Sequence, residues 1–285
     1  PAVDKNILYL TACDSFFYAI DIKNKRVKWK FKMDNVSISS PQYDDRNVYF
    51  GSNDTYLYAL DKHNGRLKWK IKTDDIIVSA PCFYNQNIFI STHGGSIYCI
   101  NKRSGRIIWN KDIGNSIFAS PVYSNLCIYI GNDSGTFYAL NSQNGNIKWS
   151  YKLPDVKKEM WIGPKLPDFA ANSIEDLKPV INTASINDQF IVFVSMNGIV
   201  ACLDKFGNEN WTYELGEEVN SAPLIFGDYV YITTKHGYIY AFDIFNSDKL
   251  WEYKLRSRTF ASPIVCGKSI CFSTEFGQIY SFSDK

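Results

Sequence analysis

The sequence predicts an all-β chain folded as a seven-bladed β-propeller of four-stranded antiparallel blades, the last blade lacking its outer strand. Three observations carry this. Tryptophans stand at 29, 69, 109 and 149, and again at 211 and 251, forty residues apart within each run. Between them lie short runs of alternating apolar and polar residues, the period of a half-buried strand, with no amphipathic helical pattern of comparable length. The composition is 45% hydrophobic, with 19 Tyr, 19 Phe and 7 Trp, which favours strands and supplies a large core. Four short strands in a unit of about forty residues are the mark of a propeller blade, and such a unit buries its two faces only against neighbouring copies.

Taken in order, the first blade occupies about 1–40 and reads NILYLTA, SFFYAID and RVKWKFK around Trp29. The second, 41–80, opens at Ser39-Ser40-Pro41 and gives NVYFGS, TYLYALD and RLKWKIK around Trp69. Asn64-Gly65 supplies the positive φ that a tight turn between antiparallel neighbours needs. Blades three (81–120) and four (121–153) repeat the plan, with Ser104-Gly105 and Asn144-Gly145 at the same turn and Trp109 and Trp149 in the outer strand. A second glycine, at 95, 135, 198, 237 and 277, marks the turn before the YAL-type strand. These glycines punctuate turns; none belongs to a cluster opening a helix, as a phosphate loop requires.

After Trp149 the rhythm breaks, and about twenty-three residues are inserted before Trp211. The inserted loop, 154–183, carries prolines at 154, 164, 167 and 179, which exclude a long regular element. Ser173 to Leu177 has the pattern of one or two helical turns capped by Ser173. Blade five (184–222) resumes at Ala184, where the other copies have proline, and reaches Trp211. Blade six (223–262) ends on Trp251, and blade seven (263–285) stops before its tryptophan strand. The first strand of blade one already starts near Pro1, so the expectation is that residues upstream of this sequence supply the missing strand, or that the blade has three. The six tryptophans are expected to wedge between blades, each ring removing about 150–250 Å² from water.

The run from Pro121 through IYIGN, a residue before Gly135, YALN, a turn and the KW ending at Trp149 resembles the PQQ-type propeller repeat, and the likeness covers practically all of the chain outside the insertion. The repeats resemble those of the scaffold propeller of the outer-membrane assembly lipoprotein. They also resemble the C-terminal propeller of aminoadipate-semialdehyde-dehydrogenase-like adenylating enzymes, whose abrupt last strand is similar to YSFSD at the end of this chain. Two roles follow from that likeness: a scaffold, or an accessory C-terminal domain of an adenylating enzyme. The family also contains quinone-dependent dehydrogenases, so a small-ligand or quinone-binding propeller is the competing reading. Those enzymes hold calcium with carboxylates and amides and often have two adjacent cysteines; no two cysteines are adjacent here.

Within the residues themselves nothing points to catalysis. The recurring Asp21, Asp61, Asn101, Asn141, Asp204 and Asp243 fall at the entrance of one turn in blades one to six, where such side chains satisfy backbone amides. His63, His93 and His236 are scattered over turns without zinc spacing, and no nucleophile elbow occurs. The expectation is a non-enzyme with no cofactor and no metal. A formal charge of +2, mixed along the chain, lacks the footprint of a nucleic-acid binder, and no apolar run spans a membrane. Of the seven cysteines, Cys99 and Cys202 occupy the slot that alanine fills in other blades and serve as small apolar groups; Cys266 and Cys271 flank a hairpin turn and are the one pair placed to bridge. Free thiols indicate a cytoplasmic location, with the periplasm or exterior as alternatives. The expected function is therefore a monomeric protein-interaction module that uses one propeller face. The inserted loop lies on the face of the turns preceding the YAL strands, and its Met160, Trp161, Ile162, Leu166 and Phe169 are the candidate partner-binding residues, since exposed aromatic and Met side chains anchor interfaces.

Overall fold

A computed structural model describes residues 1–154 and 179–283. Every regular element in them is a strand, and the strands form seven antiparallel sheets, six of four strands and one of three. The first blade is β1 (Ala2–Asp4), β2 (Ile7–Thr11), β3 (Phe16–Asp21) and β4 (Arg26–Lys32), and the second β5 (Gln42–Tyr43), β6 (Asn47–Gly51), β7 (Tyr56–Asp61) and β8 (Leu67–Lys72). The third is β9 (Cys82–Tyr84), β10 (Asn87–Ser91), β11 (Ser96–Asn101) and β12 (Ile107–Asp112), and the fourth β13 (Val122–Ser124), β14 (Cys127–Gly131), β15 (Thr136–Asn141) and β16 (Ile147–Lys152). Blade five has β17 (Ser185–Ile186), β18 (Phe190–Val194), β19 (Ile199–Asp204) and β20 (Glu209–Glu214); blade six has β21 (Leu224–Phe226), β22 (Tyr229–Thr233), β23 (Tyr238–Asp243) and β24 (Lys249–Lys254). Blade seven holds β25 (Ile264–Cys266), β26 (Ser269–Ser273) and β27 (Ile279–Ser283). The fold is the all-β, seven-bladed propeller that the repeat predicts. The proposed helical turn at Ser173–Leu177 and the five candidate partner-binding residues of the inserted loop, Met160, Trp161, Ile162, Leu166 and Phe169, lie outside the described residues.

Packing divides the chain into two compact units, Pro1–Ile128 with Leu140–Ile147, and Tyr129–Ala139 with Lys148–Lys285. In the first unit the two-residue period of β6 and β7 sorts their side chains. Val48, Phe50, Tyr58 and Leu60 join Tyr9, Phe17 and Met33 of the first blade, while Tyr49, Leu57 and Ala59 join Ile88, Ile90 and Ile100 of the third. One central blade thus seals two cores, because alternate residues leave a strand on opposite faces. Phe17 and Phe50 stack at 4.3 Å between ring centroids. The second unit is built the same way, with Val192, Val200 and Cys202 meeting Val230, Ile232 and Phe242, and Tyr231, Ile239 and Ala241 meeting Ile270 and Phe272.

The tryptophans explain the forty-residue repeat. Five of them stand opposite a small residue of the neighbouring strand, in the pairs Ala19–Trp29, Ala59–Trp69, Cys99–Trp109, Cys202–Trp211 and Ala241–Trp251. The register shifts just after each pair, so a bulge recurs at the same place and turns the indole out of its own sheet. Its Nε1–H then donates to a carbonyl in the next blade: Trp29 to Lys62 (3.2 Å), Trp69 to Lys102 (3.2 Å), Trp109 to Ser142 (3.1 Å), Trp149 to Lys205 (3.1 Å) and Trp211 to Ile244 (2.7 Å). The turn glycine of the next blade lies against the ring: a Cβ on Gly65, Gly105, Gly145 or Gly207 would stand 2.5–2.8 Å from an indole carbon. Small partner, bulge, indole and glycine form one recurring device.

The Ser-Pro and Ala-Pro segments are the second link between blades. The Ser39 hydroxyl donates to Ser79 O at 2.7 Å and accepts from Gly51 N–H at 3.2 Å, and the Ser79 hydroxyl donates to Ser91 O at 2.9 Å. Ser91 in turn donates to Ala119 O at 2.9 Å. These serines are buried, and each bond satisfies a backbone group that strand pairing leaves open. Ser221 and Thr233 repeat the pattern in the second unit, where Thr233 also donates to Ala261 O at 3.2 Å.

Candidate interaction face

The loops sort onto two edges of every blade. On one edge lie the connections from a blade's outer strand to the next blade's inner strand, together with the turns between second and third strands. The inserted loop leaves and re-enters the described structure on this edge. Leu153 N–H donates to Gly135 O at 3.0 Å, Val180 N–H to Asn132 O at 3.0 Å and Met196 N–H to Pro179 O at 2.8 Å. Val180 is buried against Gly131, where an added Cβ would lie 2.3 Å from its Cγ1. Both ends of the insertion are therefore fixed beside the turns at Asn132–Gly135 and Ser195–Gly198.

Along this edge one repeat slot points apolar side chains outward. In the first unit it holds Ile38, Val78 and Phe118, and in the second Ile181, Asn220 and Phe260. Ile38 is 60% exposed, Phe118 44% and Phe260 51%. The arrangement is imposed by the chain: Ile77 and Ser79, or Ile117 and Ala119, are buried on either side, and in extended backbone the residue between two buried ones faces the other way. Exposed large side chains placed by a rigid frame are anchors a partner can bury.

Polar groups beside this slot are already committed within their units. Asp54 accepts from the Tyr58 hydroxyl at 2.6 Å, Asp14 from Tyr18 at 2.5 Å, and Asp74 from the hydroxyls of Ser96 (2.5 Å) and Tyr98 (3.1 Å). The Tyr18 bond holds the Asp14 carboxyl below the usual carboxylate range, and burial, then the Asp54 bond, pushes the Tyr58 phenol up. His93 lies 3.5 Å from Asp75 and edge-on to Phe118, centroids 4.8 Å apart, while His236 lies 3.6 Å from Glu217. Among the described residues no three His, Cys, Asp or Glu side chains converge on a point where a metal would sit. The third histidine, His63, is on the opposite edge and shares nothing with these two.

That opposite edge carries the turns entering the second strand and those entering the outer strand. The repeated Asp or Asn there accepts turn amides, as Asp61 does from His63 N–H at 3.0 Å and Asn101 from Ser104 N–H at 3.0 Å. Two clefts open here in the first unit, about 530 Å³ beside Asp4, Lys5, Tyr9, Lys28 and Lys62, and about 270 Å³ beside Arg46, Asp61, Lys68 and Arg103; both are lined by His63. Lys62 bridges Asp4 at 2.8 Å and Lys102 bridges Asp44 at 3.2 Å. The apolar slot and these charged clefts are the two surfaces that sequence patterning missed. Both were present in it as repeat positions whose residue type changes from blade to blade.

The seven cysteines are free thiols. Cys99, Cys127 and Cys202 are buried, and burial pushes the Cys99 and Cys202 thiols up to about 12. Cys266 and Cys271 flank the Gly267-Lys268 turn, one in β25 and one in β26. No helix among the described residues is long and apolar enough to cross a membrane.

The chain is similar in structure to BamB from Moraxella catarrhalis, at 18% identity and a TM-score of 0.80, covering 100% of this chain and 87% of that one. It is equally similar to the computationally designed Ika8 protein, at 13% identity and a TM-score of 0.80, covering 99% of this chain and 82% of that one. Comparison with curated proteins returns no match. Residues 1–283 match the family described as the β-propeller of the beta-alanine-activating enzyme, and the chain, with its tryptophan-docked blades, belongs to that family of propellers.

Proposed function

We propose that this propeller is a non-catalytic protein-interaction module working within a larger protein or complex. The observation that carries the reading is the apolar repeat slot, exposed at Ile38 and Phe118 in the first unit and at Phe260 in the second. Asp14, Asp54 and Asp74 beside it are spent on tyrosine and serine hydroxyls, so apolar contact is the chemistry the slot itself offers. Family membership favours a second, more specific form: an accessory domain of an enzyme that activates a carboxylic acid, with the chemistry performed elsewhere. The free and partly buried thiols support a reducing, cytoplasmic setting.

The test is site-specific photocrosslinking in cells, with benzoyl-phenylalanine placed at 38, 118 or 260 and, as a control, at the exposed outer-strand position 111. A discrete protein adduct at the three slot positions is expected. Adducts no stronger than at position 111 refute the reading.

A further inference from the structure

We propose that the edge opposite the apolar slot, in blades one to three, binds an acidic, extended polypeptide segment. The internal repeat acts as its own control. Directly after the turn glycine position the first three blades carry Arg26, Arg66 and Arg106, whereas blades four to six carry Asn146, Asn208 and Asp248. Two residues into the same turn stand Lys23, His63 and Arg103, against Gln143, Phe206 and Phe245. Turns with Ser142, Lys205 and Ile244 still receive their tryptophans, so the turn and the docking need no cation at these positions. The charge is surplus to the fold.

Most of it is also unspent. Lys23, Arg26, Arg66, Arg103 and Arg106 are exposed, and none has a salt bridge among the described residues; Arg26 alone faces a carboxylate, Asp21, which the Asn24 bonds and then Arg26 hold below the usual carboxylate range. The nearby Asp4, Asp44 and Asp61 are held by Lys62, Lys102 and Lys68 at 2.8–3.2 Å. The protein's formal +2 conceals this segregation. Each arginine is followed by an exposed aliphatic: Val27 at 51%, Leu67 at 43% and Ile107 at 39%. A cation beside an aliphatic group, repeated on three successive blades, fits a segment in which carboxylates alternate with apolar side chains. It fits nucleic acid poorly. The tryptophans that could stack on bases are docked on the next blade.

The probe is a fluorescein-labelled peptide of Glu, Asp and Leu, titrated by anisotropy with the full chain at low and high salt, beside its Gln/Asn counterpart and an oligouridylate of equal length. The acidic peptide is expected to bind, and to bind more weakly as salt rises. The triple variant R26N/R66N/R106N, which installs residues other blades already use, is expected to lose about tenfold or more in affinity while melting like the parent. Its charge-matched control, K32N/K72N/K111N, removes three lysines from the far ends of the same outer strands and should bind like the parent. Absence of peptide binding at low salt, equal losses in the two triple variants, or tighter binding of the oligouridylate would each overturn the proposal. The edge differs from that of the apolar slot, so this outcome is independent of the photocrosslinking result.

Discussion

Replacing Gly105 by alanine tests the docking device directly. Gly105 has φ +72°, and its new Cβ would stand 2.8 Å from Cδ2 and 3.0 Å from Cε3 of Trp69. The left-handed backbone alone costs an alanine about 1 kcal/mol. The ring must also move, which weakens the Trp69 Nε1–Lys102 O bond of 3.2 Å at about 0.5–1.5 kcal/mol. The expected loss is about 2 kcal/mol. Gly114 supplies the control, for it has φ +66° and nothing within 4 Å of an added Cβ, so Gly114→Ala should show the backbone cost alone, about 1 kcal/mol. Urea unfolding followed by circular dichroism measures both. In a Trp69→Phe background the two glycine variants should converge, because the cycle removes the term they do not share. Equal losses in the parent background, or no convergence in the Phe background, would refute ring docking as the reason for the glycine.

The remaining predictions rest on single sites. Thr55 has φ +70° in the turn where other blades place Gly95, Gly135, Gly198 and Gly237, and Thr55→Gly is expected to stabilise the protein by about 1 kcal/mol in the same urea assay, whereas Gly198→Ala, with its Cβ 2.2 Å from Glu217 O, should destabilise it. Stability should also fall in acid through Asp44 and Asp4. Burial pushes the Asp44 carboxyl up, but the Asn47 and Arg46 amides and Lys102 outweigh it and leave it below its ordinary value; the Lys62 bond lowers Asp4. A carboxyl depressed on folding contributes stability that is full above the unfolded value of about 3.9 and is lost as pH falls through the lowered folded value. Urea midpoints measured downward from pH 5 should therefore decline less steeply for Asp44→Asn than for the parent, and identical slopes would count against the assignment.

Much of the fold was legible because blade identity is written in features with a fixed period. Trp29 and Trp69, the turn glycines after them and the alternating YAL-type strands each call for one local geometry, and the copies agree in register. The tryptophan bond spans 33 residues in four of its five occurrences and 56 only where the insertion intervenes, so even this long-range contact follows from the repeat. What the sequence hid falls into two kinds. Ser15 and Thr55 take positive φ, 66° and 70°, with no glycine to announce them, since the surrounding turn bonds over-determine the backbone there: the Thr73 hydroxyl and N–H both bond Thr55 O, at 2.8 and 2.9 Å. Surface chemistry was the other. Composition sums charge over the chain, so the basic turns of the first three blades vanished into a small net value. The candidate site around Trp161 rested on composition in a segment without a repeat, where no periodic signal fixes geometry.

The repeat also separates what the fold demands from what one blade has acquired. Glycine at the docking turn looks obligatory from positive φ alone, yet Lys25 holds that slot at φ +50° and Ser247 at φ +64°. Left-handed backbone is therefore not sufficient reason for the glycine. None of the five tryptophan bonds ends in the turn that holds Lys25. Ser247 does share its turn with a docked ring, and there Trp211 donates to Ile244 O at 2.7 Å and is the most deeply buried of the blade tryptophans, 7% exposed. That bond is shorter than the 3.1–3.2 Å of blades one to four, so a docked indole coexists with a Cβ at this slot. Glycine is thus a requirement of the ring's usual seat, and the same blade-by-blade comparison identifies the arginines of the first three turns as residues that the fold does not require.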